Sequence, residues 1–310
     1  MNFRPAFLAV VQTVGLYLSG FIIPVVGQVL ALFTPVPLIV AYVRYGRREG
    51  LTALAAAAVI VLLAGGWQMA AMLVFGFGLM AVALAESMLR SMKPEHASLL
   101  GGLAPVVVLI LALFFYFIQI DKNPITVIEE YLRGSMADAA KVYAAIGLAD
   151  MAATVTAMSD KFVHALVRLL PGIAVATSVA QAAFCYGIVR AALMRRPGPV
   201  PLPVQDSLAS WHAPDTWVWG LIASLTLLVV PDEIAWYAGW NLTILFATLY
   251  LAQGIALLDF YLRKTHMRPF VRGVVHTLIL ALPSIVFVIA VGIVDIWADF
   301  RKVRGPILKT

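Results

Sequence analysis

The chain has 310 residues, of which 62% are hydrophobic and only 12% charged, about half the charged share of an average soluble domain. Apolar runs too long for a buried soluble helix recur from end to end, and the ten-residue alternation of a transmembrane barrel is missing, so an all-α, polytopic integral membrane protein is predicted. The net charge of +6 sits in short clusters between the apolar runs. It reads as topology signal and lipid-headgroup contact, and with no basic stripe or aromatic module it argues against nucleic acid as a partner.

The N-terminal segment MNFRPAFLAVVQTVGLYLSGF runs on into apolar sequence up to Val43. A signal peptide would end at a small-residue site before a polar mature chain, so an uncleaved first span is expected. No formal charge appears from Pro5 to Val43, which is too long for one span, and Pro24, Gly27, Pro35 and Pro37 interrupt it. The spacing predicts a first helix to about Ile23, an irregular stretch, and a short second helix ending at Tyr42-Val43. Irregular backbone at membrane depth must be buried in protein or line a cavity, because lipid cannot satisfy its polar groups. Beyond the basic turn Arg44 to Arg48, spans three and four are predicted from about Leu51 to Ala64 and from Trp67 to Ser87, split by Gly65-Gly66. A second basic turn, Arg90 to Lys93, precedes span five at about Leu99 to Ile120, which closes an N-terminal region of residues 1–120.

Residues 121–168 hold six acids and five bases and carry two helical stripes. Ile125, Ile128, Leu132, Met136, Ala139, Tyr143 and Ile146 form one; Val155, Met158, Phe162, Leu166 and Leu169 form the other. An extramembrane or interfacial helical insert is expected here. Residues 169–190 return through the membrane as span six. A proline-rich cytoplasmic linker, 191–216, follows, with no packed core of its own. The C-terminal region 217–310 offers segments at about Trp217–Val230, Trp240–Leu262 and Val274–Val294, then a basic tail. The most informative of these is Trp240 to Lys264: it carries no charge from Trp240 to Leu258, opens on an aromatic and closes on Arg263 and Lys264, as a membrane boundary requires.

The positive-inside rule places the clusters at 44–48, 90–93, 190–196 and 263–272 in the cytoplasm. Gly65-Gly66, the insert and Pro231-Asp232-Glu233 then lie outside. The last segment is flanked by basic residues on both sides. Nine spans put the C-terminus outside; if Trp217–Val230 does not cross, eight put it inside.

Soluble-enzyme signatures are missing: there is no phosphate-binding glycine-lysine loop, no CxxC, no GxSxG and no paired histidines at ligand spacing. His96, His164, His212, His266 and His276 are scattered singly, and the lone Cys185 lies in an apolar run. Neither a catalytic group, a metal site nor a cofactor is therefore expected. Charge inside a membrane costs several kcal/mol unless paired. Glu86 and Asp259 each have an arginine four residues later, Arg90 and Arg263, in the favourable acid-first order, which predicts interfacial ion pairs; a substrate or proton role is the alternative. Asp295 and Asp299 share a face beside Arg301 and Lys302, where a boundary network is expected. No acid sits near the centre of a span. What lies deep is neutral: Gln12 and Thr13 in span one, Gln181 in span six, Asn241 and Gln253 in the Trp240 segment. Interhelical hydrogen bonding accounts for such residues, and the sharper alternative is a polar lining for a small neutral metabolite.

Three stretches resemble the YybS-like family of bacterial membrane proteins of unknown function. They are Pro35-Val-Pro37-Leu-Ile-Val-Ala-Tyr-Val-Arg44-Tyr-Gly46 with Arg48-Glu-Gly50; Asn241 with Leu249-Tyr250-Leu-Ala-Gln253-Gly254; and Gly292-Ile-Val-Asp295-Ile-Trp297-Ala-Asp299-Phe300-Arg301-Lys302. That family is distantly similar to the substrate-binding subunits of energy-coupling-factor transporters, whose six spans residues 5–190 follow in outline. The resemblance implies capture of a small molecule in a cavity open to the outside, with a separate energy-coupling module as partner. Ala6 with Val10 and Ala9 with Thr13 match half of the paired-alanine docking pattern of such subunits. The expectation is a non-enzymatic small-molecule-binding or transport component of the bacterial inner membrane. The alternatives are a scaffold or assembly factor that binds another membrane protein through the insert, and a lipid-modifying enzyme.

Overall fold

In the computed structural model every regular element among the described residues is a helix. These residues are 3–120, 123–195, 211–265 and 285–301, with 267, 271 and 275 singly. The proline-rich run 196–210, the start of the predicted segment at Val274, His266, His276, and the tail beyond Arg301 lie outside them. The chain divides into two compact units, Met1–Leu202 and Pro203–Thr310.

The first unit opens with α1, Phe3–Ile22. It stops at Pro24, where Val26 N donates to Pro24 O at 2.7 Å and Val25 takes φ 61°. This is a tight three-residue turn that a β-branched residue adopts only under strain. The short α2, Val26–Ala31, then folds back on the end of α1. Gly27 lies so close to the Ser19 carbonyl that no Cβ would fit, and Ser19 Oγ donates to Gly27 O at 3.2 Å. Gly27 is thus buried against the first helix, whereas Ile23 to Val26 around the turn are exposed, so the expected burial of the irregular stretch is met only at its α2 end.

Pro35 opens α3, Pro35–Tyr45, a position where a missing N–H is harmless. Gly46, at φ 111°, closes it and starts α4, Arg47–Ala71, whose helical path breaks at Gly66 (φ 85°). A wider π-helical segment, Met72–Gly78, leads into α5, Leu79–Leu89. Leu54, twelve residues before Gly66, lies 2.8 Å from where a Cβ on Gly78, twelve residues after it, would stand. The 43-residue stretch Arg47–Leu89 therefore doubles back at Gly66, and each leg of about 20 residues is long enough for a hydrocarbon core of roughly 30 Å.

Next comes α6, Pro94–Ile120. Asn123 caps α7, Pro124–Ala145, accepting from Ile125 N at 2.9 Å. Gly147, at φ 84°, turns the chain into α8, Ala149–Met194. The two pack as a hairpin held by Arg133 Nε on Asp160 Oδ1 at 3.0 Å, nearly equidistant from Gly147. No break separates the predicted insert from predicted span six: one 46-residue helix carries both, with Pro171 inside it near the expected boundary. The first stripe faces α8 at Ile128, Leu132, Met136, Ala139 and Tyr143, while Ile125 and Ile146 at its ends are exposed. The second is displaced by one residue: Val163 is buried, and Met158 and Phe162 are exposed. Deeper along α8, Ser178 Oγ donates to Gly102 O at 2.8 Å, and Gly102 lies against the Val179 backbone. The core of the unit joins Tyr17, Ile39, Leu73, Leu84, Met88, Cys185 and Val189.

The second unit contains α9, Trp217–Leu227, α10, Glu233–Lys264, and α11, Ile285–Ala298. The informative stretch at Trp240 is the larger part of α10, which begins seven residues earlier because Asp232 caps it, accepting from Ala235 N at 2.8 Å. Gly239 and Gly220 let α9 and α10 approach, the first against Ser224 and the second against the Phe246 ring. The crossing of α10 with α11 is closer still: Gly254 touches the Val288 carbonyl and Gly292 the Tyr250 carbonyl.

Among the described residues five helical stretches are long and apolar enough to cross a membrane: Val26–Tyr45, Arg47–Leu89, Pro94–Gln119, Ala149–Met194 and Glu233–Lys264. Three shorter apolar helices accompany them, Ala6–Ile22, Trp217–Leu227 and Ile285–Ala298. Large apolar side chains such as Leu63, Phe115 and Trp219 are exposed on these helices, the outward face expected of helices solvated by lipid.

Candidate functional site

The charged end of the Arg47–Leu89 hairpin is built around Glu86. Arg47 reaches it in bidentate fashion, Nε to Oε1 at 2.6 Å and Nη2 to Oε2 at 2.8 Å, the geometry in which guanidinium and carboxylate bind most strongly. Tyr42 donates its hydroxyl to Oε1 at 2.6 Å, and Gly50 makes room for the Tyr42 side chain. Arg90 approaches only to 3.8 Å, too far for a hydrogen bond. The i,i+4 spacing identified Arg90; the stronger partner, Arg47, lies across the hairpin and has no local sequence signal.

Beside this cluster a crevice of about 430 Å³ opens between α5 and α6. Each helix contributes one face. Ala83, Glu86 and Ser87 come from α5 and Arg90 from the residue that caps its end; Leu100, Leu103, Ala104 and Val107 come from α6, with Met92 from the turn between them. Both sets have the i, i+3, i+4, i+7 spacing of a single helical stripe. The α5 wall carries charge at its C-terminal end and the α6 wall is apolar throughout, so the crevice is polar near the basic turn and hydrocarbon-like below it. Its volume lies within the roughly 300–1,000 Å³ of small-molecule sites.

The second unit contains a buried polar network. Asp295, 3% exposed, accepts from Arg301 Nη2 at 2.8 Å, Phe300 N at 3.0 Å and Gln253 Nε2 at 3.2 Å. Gln253 Oε1 accepts from Ala213 N at 3.0 Å, and Arg301 Nη1 donates to Trp211 O at 2.7 Å. A carboxylate at a helix C-terminus opposes the helix dipole; here the guanidinium offsets it. The network ties residues 211–213 to α10 and α11 at the glycine crossing. Its hydrogen bonds run chiefly from one member to another and to the backbone of residues 211–213, which makes it a support of the fold.

The neutral candidates are dispersed over both units. Gln12 is exposed on α1, whereas its neighbour Thr13 is fully buried with no hydrogen-bond partner for Oγ1. Gln181 donates to Leu32 O at 2.8 Å, fixing the turn between α2 and α3. Asn241 donates to Tyr237 O on its own helix at 2.7 Å, and Gln253 belongs to the buried network. None of the five lines the crevice. Asp259 pairs with Arg263 at 2.7 Å. Among the described residues no group of three or more His, Cys, Asp or Glu side chains is placed to hold a metal ion.

Helices of this length and outward apolarity, with their charges gathered in short turns, define an integral membrane protein. The chain belongs to the family described as "Predicted membrane protein (DUF2232)", whose sequence model matches residues 11–296. No curated protein and no solved structure matches it.

Proposed function

We propose that the chain is a non-enzymatic, multi-pass protein of the bacterial cytoplasmic membrane that binds a small molecule within the bilayer, as a substrate-binding or transport component of eight or nine spans. The observation that carries this reading is the α5/α6 crevice, a cavity of about 430 Å³ with one polar end. The resemblance in sequence of residues 5–190 to the outline of energy-coupling-factor substrate-binding subunits supports it, and a separate coupling module would be the corresponding partner. The test is purification in detergent followed by mass spectrometry of the bound small molecules. A molecule retained by the wild type and lost in Ala104→Trp, which fills the crevice, supports the proposal; a wild type that carries nothing argues against it.

A scaffold role is the second reading. It is favoured by the exposed Met151, Met158 and Phe162, which share one face of α8 at i, i+7, i+11 spacing and are not covered by α7. A stoichiometric protein partner lost in Met158→Ser/Phe162→Ser would select it.

A further inference from the structure

We infer that the α5/α6 crevice seats one anionic membrane lipid, with its phosphate headgroup at Arg90 and a chain along α6; this rests on the crevice being the binding site proposed above. Three observations converge on this occupant.

The first is the gradient of polarity. Arg90 caps α5 at the turn that leads into α6, while Ala83 lies two helical turns deeper. On α6, Leu100 is nearest that turn and Val107 is about 10 Å further along the axis. One end of the crevice carries Arg90, Glu86 and Ser87 and the rest is hydrocarbon, which matches an amphiphile and matches neither a uniformly polar solute nor an oil. The second is the direction of access. Leu100, Leu103 and Val107 are 49%, 37% and 50% exposed, so the apolar wall is open along its side. In a membrane that opening faces acyl chains, and an occupant enters laterally from the bilayer. The third is charge. Glu86 is engaged by two hydrogen bonds from Arg47 and one from Tyr42. Arg90 comes no closer to it than 3.8 Å, and its side chain is 71% exposed. Two guanidinium groups therefore stand against one carboxylate, with Lys93 three residues on, and the surplus positive charge complements a phosphodiester.

The experiment uses the full chain in detergent, titrated with phosphatidylglycerol or phosphatidylcholine of the same acyl chains and read by native mass spectrometry. One phosphatidylglycerol is expected to be retained in preference to phosphatidylcholine. Arg90→Gln should weaken its binding about fivefold, while Lys141→Gln, an exposed cation on α7, leaves it unchanged. Val107→Trp and Ala104→Trp should each remove the bound lipid, at a melting temperature close to wild type in at least one of them. Equal retention of the two lipids, both lost in the tryptophan variants, would overturn the anionic assignment and leave the crevice as a binding site. So would a neutral metabolite bound in place of lipid, or a signal displaced by inorganic phosphate regardless of the chain. A crevice that binds nothing would remove both the lipid and the proposed function.

Discussion

Arg47 and Glu86 are separated by 39 residues in sequence and by 2.6 Å in space. That contact brings the two basic turns, Arg44–Arg48 and Arg90–Lys93, to the same end of the helices. It is an independent geometric reason to place both on one side of the membrane, the side that the positive-inside rule selects for each separately. The helices between them must go out and come back, and Gly66 is where they turn.

The hairpin can be tested by cross-linking. In a Cys185→Ser background, Leu54→Cys with Gly78→Cys should be joined by a short bifunctional thiol reagent, since the Leu54 side chain spans the gap and places Cδ1 2.8 Å from the position of a Gly78 Cβ. Leu54→Cys with Met88→Cys should not. A straight 43-residue helix would give no product in either pair.

Stability should rank the partners of Glu86. Replacing Glu86 by Gln removes a bidentate ion pair and weakens the bond from Tyr42, and is expected to destabilise by about 1 kcal/mol because the site is partly solvated. Arg47→Gln should lower the melting temperature in detergent, and Arg90→Gln should lower it less, as its nitrogen stands 3.8 Å away. The reverse order would mean that the helical i,i+4 pair dominates.

Asp295 and Arg301 should behave as a buried pair. Asp295→Ala leaves a guanidinium side chain that is 1% exposed without its carboxylate, and a loss of about 3–5 kcal/mol is expected. The double variant Asp295→Leu/Arg301→Met should recover much of that loss. Gln253→Leu, which strips Ala213 N–H of its acceptor, should cost about 1–3 kcal/mol. Equilibrium unfolding of the three variants decides, and additive losses in the double variant would contradict the pairing.

Glycines should divide by what surrounds them. Gly254→Leu and Gly292→Leu would each push α10 and α11 apart, because a side chain there meets the carbonyl of Val288 or Tyr250, and loss of the folded protein is expected. A Cβ at Gly15 would meet nothing within 4 Å beyond its own helix, so Gly15→Ala should be neutral or stabilising by about 0.5–1 kcal/mol through helix propensity. Thermal unfolding in detergent distinguishes the two classes; a tolerated Gly254→Leu would mean that α10 and α11 can separate at their crossing without loss of the fold.

Much of the architecture was legible from local chemistry. Pro24 and Pro35 marked the breaks around α2, Gly65-Gly66 marked the turn of the hairpin, and apolar run length marked helices that belong in lipid. Asp259 announced Arg263 by helical spacing, whereas the same spacing at Glu86 pointed to Arg90, which stands at 3.8 Å, and missed Arg47. Continuity was harder to see: the predicted insert and span six are one helix, because Pro171 does not end it and the change in polarity at Arg168 marks a change of surroundings with no change of backbone. Likewise Asn241 and Gln181 have the composition of a polar lining and are bonded to carbonyls, a choice between partners that composition does not contain.

The sequence by itself determined that this protein is helical and lives in a membrane, since a chain so apolar can satisfy its backbone there only within helices. Only the tertiary structure decided that Tyr42, Arg47 and Glu86 meet, that Gln253, Asp295 and Arg301 close one buried network, and that Arg90 stands at the mouth of a crevice. Those pairings depend on which helices become neighbours, and neighbours are chosen by glycine crossings and long-range packing that no local spacing encodes.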